Sequence, residues 1–180
     1  MSGQLIGVVG PSGVGKDSIM YALADARPEL SLVKRCITRA PELGGEDYDP
    51  VSDIAFEEMV RDDAFCLHWR AHDLRYGVPR SVVDDVKNGQ DLLVNLSRSV
   101  LVEAQDKFDH FIVLNITASA ETVRNRLQQR GRESEAEIEK RLTRLNFPLP
   151  QEVDPISICN NSTLKEAVDA ALHALYPVNA

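Results

Sequence analysis

Cysteine is scarce in this sequence, and its three residues are widely separated. Cys36, Cys66 and Cys159 form no CxxC pair. Disulfide frameworks need evenly paired cysteines, and cysteine-rich zinc sites need closely spaced ones. The odd number and the wide spacing therefore argue against both kinds of site and favour reduced thiols in a cytoplasmic protein.

Long apolar runs and an excess of positive charge are also missing. No apolar run approaches the roughly 20 residues that span a bilayer. The segment Leu5–Val9 is too short for the apolar region of a signal peptide, and Met1–Gln4 lacks the basic start. With 20 Lys and Arg against 28 Asp and Glu, the net charge of -8 argues against nucleic acid or a membrane as a partner.

What the sequence does contain is an alternation of short apolar runs, rich in β-branched residues, with longer amphipathic stretches. Near-continuous apolar runs suit strands covered on both faces, so we predict an α/β fold with a central parallel sheet flanked by helices. A length of 180 residues fits a single domain over 1–180. The predicted strands are Gln4–Val9, Leu30–Arg35, Asp91–Leu96, His110–Ile116 and Pro155–Cys159. The predicted helices are Lys16–Ala26, Ser81–Lys87, Ser97–Lys107, Ser119–Gln129, Glu133–Leu145 and Leu164–Tyr176.

One segment, about 38–77, breaks the alternation. It contains a loop punctuated by Gly and Pro, a short helical pattern at Asp53–Arg61, and strand-like runs at Phe65–Ala71 and Leu74–Tyr76. We interpret it as an insertion on the edge of the sheet.

The strongest motif lies between the first strand and the first helix, where the chain matches GxxxxGK. Glycines let the backbone turn so that its N–H groups point at phosphate oxygens, and the helix N-terminus and the lysine add positive charge. The motif predicts a P-loop that binds a nucleoside triphosphate, ATP. The residues predicted to bind it are Gly10, Pro11, Ser12, Gly13, Val14, Gly15, Lys16, Asp17 and Ser18.

Asp17 departs from the standard motif, in which Ser or Thr follows the lysine and its hydroxyl binds Mg²⁺. A carboxylate is an equally hard oxygen ligand, so Asp17 is our candidate for the metal, directly or through water. The alternative is that Asp17 only complements the helix dipole.

Motifs along essentially the whole chain follow the plan of the guanylate-kinase family in order. They are Gly10–Ser18, Ile37-Thr38-Arg39, Gly45–Tyr48, Val51-Ser52, Tyr76-Gly77 and Arg130-Gly131-Arg132. The chain thus resembles P-loop kinases of this family. Within it the chain most resembles the ribose 1,5-bisphosphate phosphokinases, through the strings Gly15–Ser18, Gly44–Asp47, Leu67-His68-Trp69, Ala71-His72, Tyr76–Pro79 and Val94–Arg98.

The positions that read guanine in true guanylate kinases carry other residues here. By resemblance, Leu67 replaces a Glu, Val78 replaces a Ser or Thr, and Ser97 replaces an Asp. Unpaired polar edges of a buried base cost about 1–3 kcal/mol each, so recognition of guanine is disfavoured.

Phosphate recognition remains, and the resemblance places Arg39 on the acceptor phosphate. Glu42 stands where the family has a second arginine that binds the acceptor phosphate, so Arg35 is expected to bind this phosphate instead. Tyr48 and Tyr76 complete the implied substrate-binding set.

Two further arginines flank the Tyr76-Gly77 turn. We expect Arg75 to bind substrate, and Arg75 with Arg80 could hold a second phosphate, since arginine suits an acceptor with a phosphate at each end. The alternative for all four arginines is ion pairing with Glu42, Glu46 or Asp47.

The resemblance also implies a mobile lid at about 130–144. Arg130 and Arg141 would act there with Lys16 as catalytic residues that stabilise the transferring phosphoryl group. Without the family, Arg124, Arg126, Arg130 and Arg132 would pass as a solvated charged face. Asn160, after the last strand, is expected to contact adenine.

The activity that the resemblance implies is phosphorylation of ribose 1,5-bisphosphate at its 1-phosphate by ATP and Mg²⁺, giving 5-phosphoribosyl 1-diphosphate and ADP. Two alternatives stay open: a nucleoside monophosphate kinase, and a non-catalytic scaffold module that binds peptides. The presence of Lys16, Arg130 and Arg141 favours an enzyme, because scaffold modules tend to lose these residues. The sequence predicts no oligomeric state.

Overall fold

The computed structural model describes residues 1–41 and 45–178 and contains two β-sheets. The strands are β1 (Leu5–Val9), β2 (Leu30–Leu32), β3 (Cys36–Ile37), β4 (Asp49–Pro50), β5 (Phe65–Ala71), β6 (Leu74–Pro79), β7 (Asp91–Asn95), β8 (Phe111–Thr117) and β9 (Ile156–Cys159). The helices are α1 (Lys16–Ala26), α2 (Asp53–Arg61), α3 (Ser81–Lys87), α4 (Leu101–Lys107), α5 (Ala120–Arg130), α6 (Glu135–Leu142) and α7 (Leu164–Leu175), with a 3₁₀ turn at Arg98–Val100.

The main sheet is five-stranded and wholly parallel, in the order β2-β7-β1-β8-β9. β1 lies at its centre and is buried on both faces. Ile6 and Val8 pack into the core under α1 and α7, whereas Leu5 and Val9 pack into the core under α3 and α4. The alternation of side chains along a strand explains why its sequence is apolar without interruption, and the predicted α/β fold is confirmed.

The segment that breaks the alternation forms a second, four-stranded sheet in the order β4-β3-β6-β5. Its strands pair with one another and, among the described residues, with none of the main sheet, so the predicted insertion forms a sheet of its own. β5 and β6 form a hairpin whose turn holds His72 and Asp73 at positive φ, 52° and 60°. α2 covers one face through Phe56, which stacks on Phe65.

The predicted strand Leu30–Arg35 ends early because the chain changes sheets. Val33 still donates to Leu93 of the main sheet at 2.8 Å, but Cys36 already pairs in the second sheet. Arg35 therefore lies at the junction of the two sheets. Within the described ranges, the structure has no helix long and apolar enough to cross a membrane.

Candidate active site

The loop between β1 and α1 has the backbone of a phosphate-binding loop. Gly13 and Gly15 have φ of 91° and 92°, a region that other residues rarely adopt. A Cβ on Gly15 would also lie 2.7 Å from Nδ2 of Asn160. Glycine is therefore required at Gly15 both for conformation and for space.

Lys16 begins α1 and turns its ammonium back over this loop. Its Nζ donates to the carbonyl oxygens of Gly10 at 2.7 Å and Pro11 at 3.4 Å. Burial lowers the pKa of Lys16; Asp17 raises it in turn, and Arg35 lowers it. The ammonium thus lies over the loop among further cations, where polyphosphate oxygens would be favoured.

Two side chains behind the loop hold its backbone in place. Asn160 is 4% exposed, and its Nδ2 donates to the Val14 carbonyl at 2.8 Å. Arg126 donates through Nη2 to the Asn160 carbonyl at 2.7 Å and through Nη1 to the Val14 carbonyl at 3.3 Å. Asn160 therefore supports the phosphate loop, and its contact with adenine stays a prediction. Arg126 was missed because its spacing fits a solvated helix face.

Asp17 and Ser18 follow Lys16 as exposed residues in the first turn of α1. Asp17 lines a shallow recess with Tyr21, Lys34 and Asp47. Across residues 1–41 and 45–178, no three His, Cys, Asp or Glu side chains converge into a metal cluster. One exposed carboxylate beside the phosphate loop does fit a Mg²⁺ that is held largely by nucleotide phosphates and water.

The two lid arginines are placed differently. Arg141, on α6, donates from Nη1 to Oγ of Ser12 in the phosphate loop and pairs through Nε with Glu133 at 2.6 Å. Arg130 ends α5 as an exposed side chain and makes no hydrogen bond or ion pair within the described part of the chain. The structure therefore brings Arg141, and not Arg130, to the phosphate loop.

The start of α6 is fixed by an N-terminal cap. Ser134 and Glu137 form a reciprocal capping box, which starts the helix two residues later than predicted. Ile138 is its buried anchor, with 2% of its surface exposed.

Arg35 lies at the junction of the sheets and is one of the charges that lower the pKa of Lys16. It is 5% exposed and bonds Glu46 with two nitrogens, Nε to Oε1 at 2.8 Å and Nη2 to Oε2. Its guanidinium lies 5.0 Å from the ring centre of Tyr76, and Trp69 stacks on Tyr76 at 5.4 Å. The ion pair between Arg35 and Glu46, which the sequence analysis gave as the alternative to phosphate binding, is thus present. It uses Nε and Nη2 of Arg35 and not Nη1.

Arg39 and Tyr48 form a second cation–aromatic contact. The guanidinium of Arg39 lies 4.4 Å from the ring centre of Tyr48, whose hydroxyl donates to the Ala40 carbonyl at 2.6 Å. Glu42 and Gly44, which the sequence comparison singled out, lie outside the described residues.

Arg75 and Arg80 are not brought to this cluster. Arg75 follows the opposite face of β6 from Tyr76 because strand side chains alternate, and it pairs with Glu57 of α2 at 3.0 Å. Arg80 pairs with Asp63 on the surface. The spacing along the chain gave no sign of which face each arginine would occupy.

Two of the three positions expected to read a base are apolar and buried. Leu67 and Val78 lie opposite each other in the hairpin, and both have 0% of their surface exposed. They pack with Leu96 in one core cluster, so neither offers a polar group to a ligand.

Arg98 is a second residue whose position was not anticipated. It follows Ser97 beyond the end of β7 and is one of the charges that lower the pKa of Lys16. The general rule that ligands bind at the carboxyl ends of parallel strands could have identified it.

The chain is similar to known kinases over nearly its whole length. Residues 2–175 match the guanylate kinase family. A ribose 1,5-bisphosphate phosphokinase of Ruegeria sp. is 51% identical over 160 residues, which is 89% of this chain and 84% of that protein. One from Azotobacter vinelandii is 38% identical over 178 residues, covering 97% of both. A solved guanylate kinase of Anaplasma phagocytophilum has a TM-score of 0.69 at 19% identity, covering 97% of this chain and 85% of that one, which shows a shared fold.

Proposed function

The chain belongs to the guanylate kinase family and, within it, to the ribose 1,5-bisphosphate phosphokinases, and on that premise we propose that it transfers the γ-phosphoryl group of ATP to the 1-phosphate of ribose 1,5-bisphosphate. The products would be 5-phosphoribosyl 1-diphosphate and ADP. The chain is thus a phosphotransferase whose acceptor is itself a phosphate.

The observation that carries this choice of acceptor is the buried pair Leu67 and Val78. Where a guanylate kinase needs polar groups for the base, this chain has two fully buried apolar side chains facing each other. The cationic groups that act on Lys16 are arginines, Arg35 and Arg98, beside the carboxylates of Asp17 and Glu46. Guanidinium forks match phosphate oxygens and do not select a base, so a small acceptor with two phosphates fits best.

The chemistry needs positioning and charge neutralisation more than proton transfer. The acceptor phosphate is already ionised at neutral pH, so no strong general base is required. Lys16 and Arg141 would neutralise the transferring group, and Arg35 and Arg39 would orient the acceptor. Mg²⁺, with Asp17 as an oxygen ligand, would supply further positive charge at the nucleotide phosphates.

The lid completes the site in this proposal. α6 already carries Arg141 to Ser12, so closure over the triphosphate would exclude water while Arg141 shifts from the serine to phosphate oxygens. Arg130 would join the site only when the segment 130–144 closes. That step would explain why Arg130 belongs to the family motif although its side chain is exposed here.

We further propose that the chain acts as one domain with ATP and Mg²⁺ in a reducing, cytoplasmic setting. Cys36, Cys66 and Cys159 are all unpaired. Burial raises the pKa of the Cys66 thiol to about 11, so this thiol stays protonated and unreactive at neutral pH.

A nucleoside monophosphate kinase is the second candidate, because the fold closely matches that of a guanylate kinase. A substrate panel separates the two: ribose 1,5-bisphosphate, GMP, AMP, CMP and UMP, each with Mg-ATP and product identification. We expect turnover of ribose 1,5-bisphosphate. If GMP were clearly the better acceptor, the assignment from Leu67 and Val78 would be wrong. If a Lys16→Ala variant kept full activity, the observed transfer would not depend on this site. The hypothesis of a non-catalytic scaffold would then be open again.

A further inference from the structure

Arg98 lies at the edge of the main sheet from which the phosphate loop starts. β7 runs parallel to β1, and the Leu96 amide donates to the Val8 carbonyl at 3.0 Å, so the two strands end side by side. The chain then turns at Ser97 and places Arg98 at the start of the 3₁₀ turn.

The surroundings of Arg98 differ from those of two other arginines near the site, Arg35 and Arg141. Arg35 and Arg141 each bond a carboxylate. Arg98 is half-buried, lies 5.9 Å from the ring centre of Phe147, and has no acidic or hydrogen-bonding partner within residues 1–41 and 45–178. Burial lowers the pKa of its guanidinium, which reflects lost hydration without a compensating anion. An anionic ligand would supply that compensation.

The order of the strands shows which substrate this anion belongs to. β7 and β9 lie on opposite sides of β1, so Arg98 and Asn160 flank the phosphate loop from opposite sides. The second sheet packs on the β7 side, where β5 contacts the 3₁₀ turn that follows β7. Arg98 thus lies in the half of the site that faces the second sheet, away from the expected adenine side.

We infer that Arg98 binds the distal phosphate of the acceptor, the 5-phosphate of a ribose bisphosphate, which does not receive the γ-phosphoryl group. The ring of Phe147 positions the Arg98 guanidinium. This rests on the proposed function and adds to it a residue for the distal phosphate. Phe147 is 59% exposed, and its ring centre lies 5.9 Å from the guanidinium carbon of Arg98. Its face gives the guanidinium a fixed support without neutralising it.

The test compares acceptors that differ only in the phosphates they carry. Arg98→Gln should raise the KM for ribose 1,5-bisphosphate by about 10- to 150-fold, the range for a lost charge-assisted bond, and leave the KM for ATP unchanged. With ribose 1-phosphate, which lacks the distal phosphate, the variant should equal the wild type. The Ki of ribose 5-phosphate, which carries only that phosphate, should rise by the same factor as the KM for the bisphosphate.

Controls separate binding from folding. Arg61→Gln removes an exposed arginine on α2 and should change none of these constants. Arg98→Lys keeps the charge, and its KM for ribose 1,5-bisphosphate should lie between those of the wild type and Arg98→Gln. This variant tests the inference if Arg98→Gln folds poorly. Phe147→Ala should raise the KM for ribose 1,5-bisphosphate by less than Arg98→Gln does. In the double variant, Phe147→Ala should cause no further rise beyond that of Arg98→Gln. Phe147→Tyr, which keeps an aromatic ring, should have the KM of the wild type.

Two results would overturn the inference while leaving the proposed function intact. One is an unchanged KM for ribose 1,5-bisphosphate in Arg98→Gln. The other is an equal loss on ribose 1-phosphate and on the bisphosphate, which would assign Arg98 to the transferred group. If the wild type itself does not use ribose 1,5-bisphosphate, the proposed function is wrong and the inference falls with it.

Discussion

Replacing Arg126 with Met tests whether the phosphate loop is held from behind before any ligand binds. The substitution keeps the length and apolar stem of the side chain but removes the donors to the carbonyls of Asn160, at 2.7 Å, and Val14, at 3.3 Å. The Asn160 side chain would still bond Val14 at 2.8 Å, so only part of the support is lost.

The expected cost can be worked out from these two bonds. A hydrogen bond to a charged group contributes about 1.5–3 kcal/mol. The 3.3 Å bond is long, and its acceptor keeps a second donor, so it adds little. We expect Arg126→Met to lower the free energy of unfolding by about 2–3 kcal/mol. For a domain of this size, that lowers the Tm by about 5–10 °C.

The measurement is urea and thermal unfolding without nucleotide, followed by titration with Mg-ATP. Arg124→Gln is the matched control, since Arg124 lies on the same helix but pairs with Glu135 and Glu139 on α6 and not with the phosphate loop, as far as the described residues show. Such exposed pairs contribute little to stability, because solvent screens them. If Arg126→Met unfolds at the same urea midpoint as Arg124→Gln, the loop is not held in this way, and any loss of ATP affinity would have to come from direct contact with the nucleotide.

Three further predictions concern single positions. Gly15→Ala should abolish saturable Mg-ATP binding and destabilise the fold, because the φ of Gly15 is 92° and an added Cβ would meet Asn160. Gly45→Ala is the control: its φ is 88° but the space around it is open, so it should cost only backbone strain. Calorimetry compares the Mg-ATP affinities of the two variants, and thermal melting compares their stabilities. Burial, and then a hydrogen bond to a carboxylate, raises the pKa of Tyr176 to about 12, above its unfolded value of about 10. Its contribution to stability should be complete below pH 10 and be lost as the pH rises towards 12, and Tyr176→Phe should flatten that decline in urea unfolding from pH 9 to 11. Asp17→Ala should raise the apparent Mg²⁺ requirement more than the acceptor KM, and an unchanged requirement would assign Asp17 to the helix dipole instead.

Local patterns predicted the elements that surround the phosphate loop. The helices Lys16–Ala26, Asp53–Arg61 and Ser81–Lys87 have the bounds predicted from the sequence. The family predicted from the motifs is confirmed by the match over residues 2–175. Roles of individual residues in binding and catalysis stay predictions.

Other features depend on contacts between distant parts of the chain. The segment around Phe65–Pro79 was recognised as irregular, but its own sheet requires pairing with Cys36–Ile37, which the chain reaches only after leaving the main sheet. Arg126 looked like part of a solvated face because its partners, Val14 and Asn160, are 112 and 34 residues away.

The sequence by itself determined the backbone of the predicted phosphate loop, because the turn at Gly13 and Gly15 and the lysine that follows lie within a few residues of one another. Only the tertiary structure decided which arginines share that site. Strand alternation turns Arg75 away towards α2, while the parallel ends of β1 and β7 bring Arg98 to the edge of the main sheet from which the phosphate loop starts. Side-chain direction and strand order are set by burial across the whole sheet, and no local spacing encodes them.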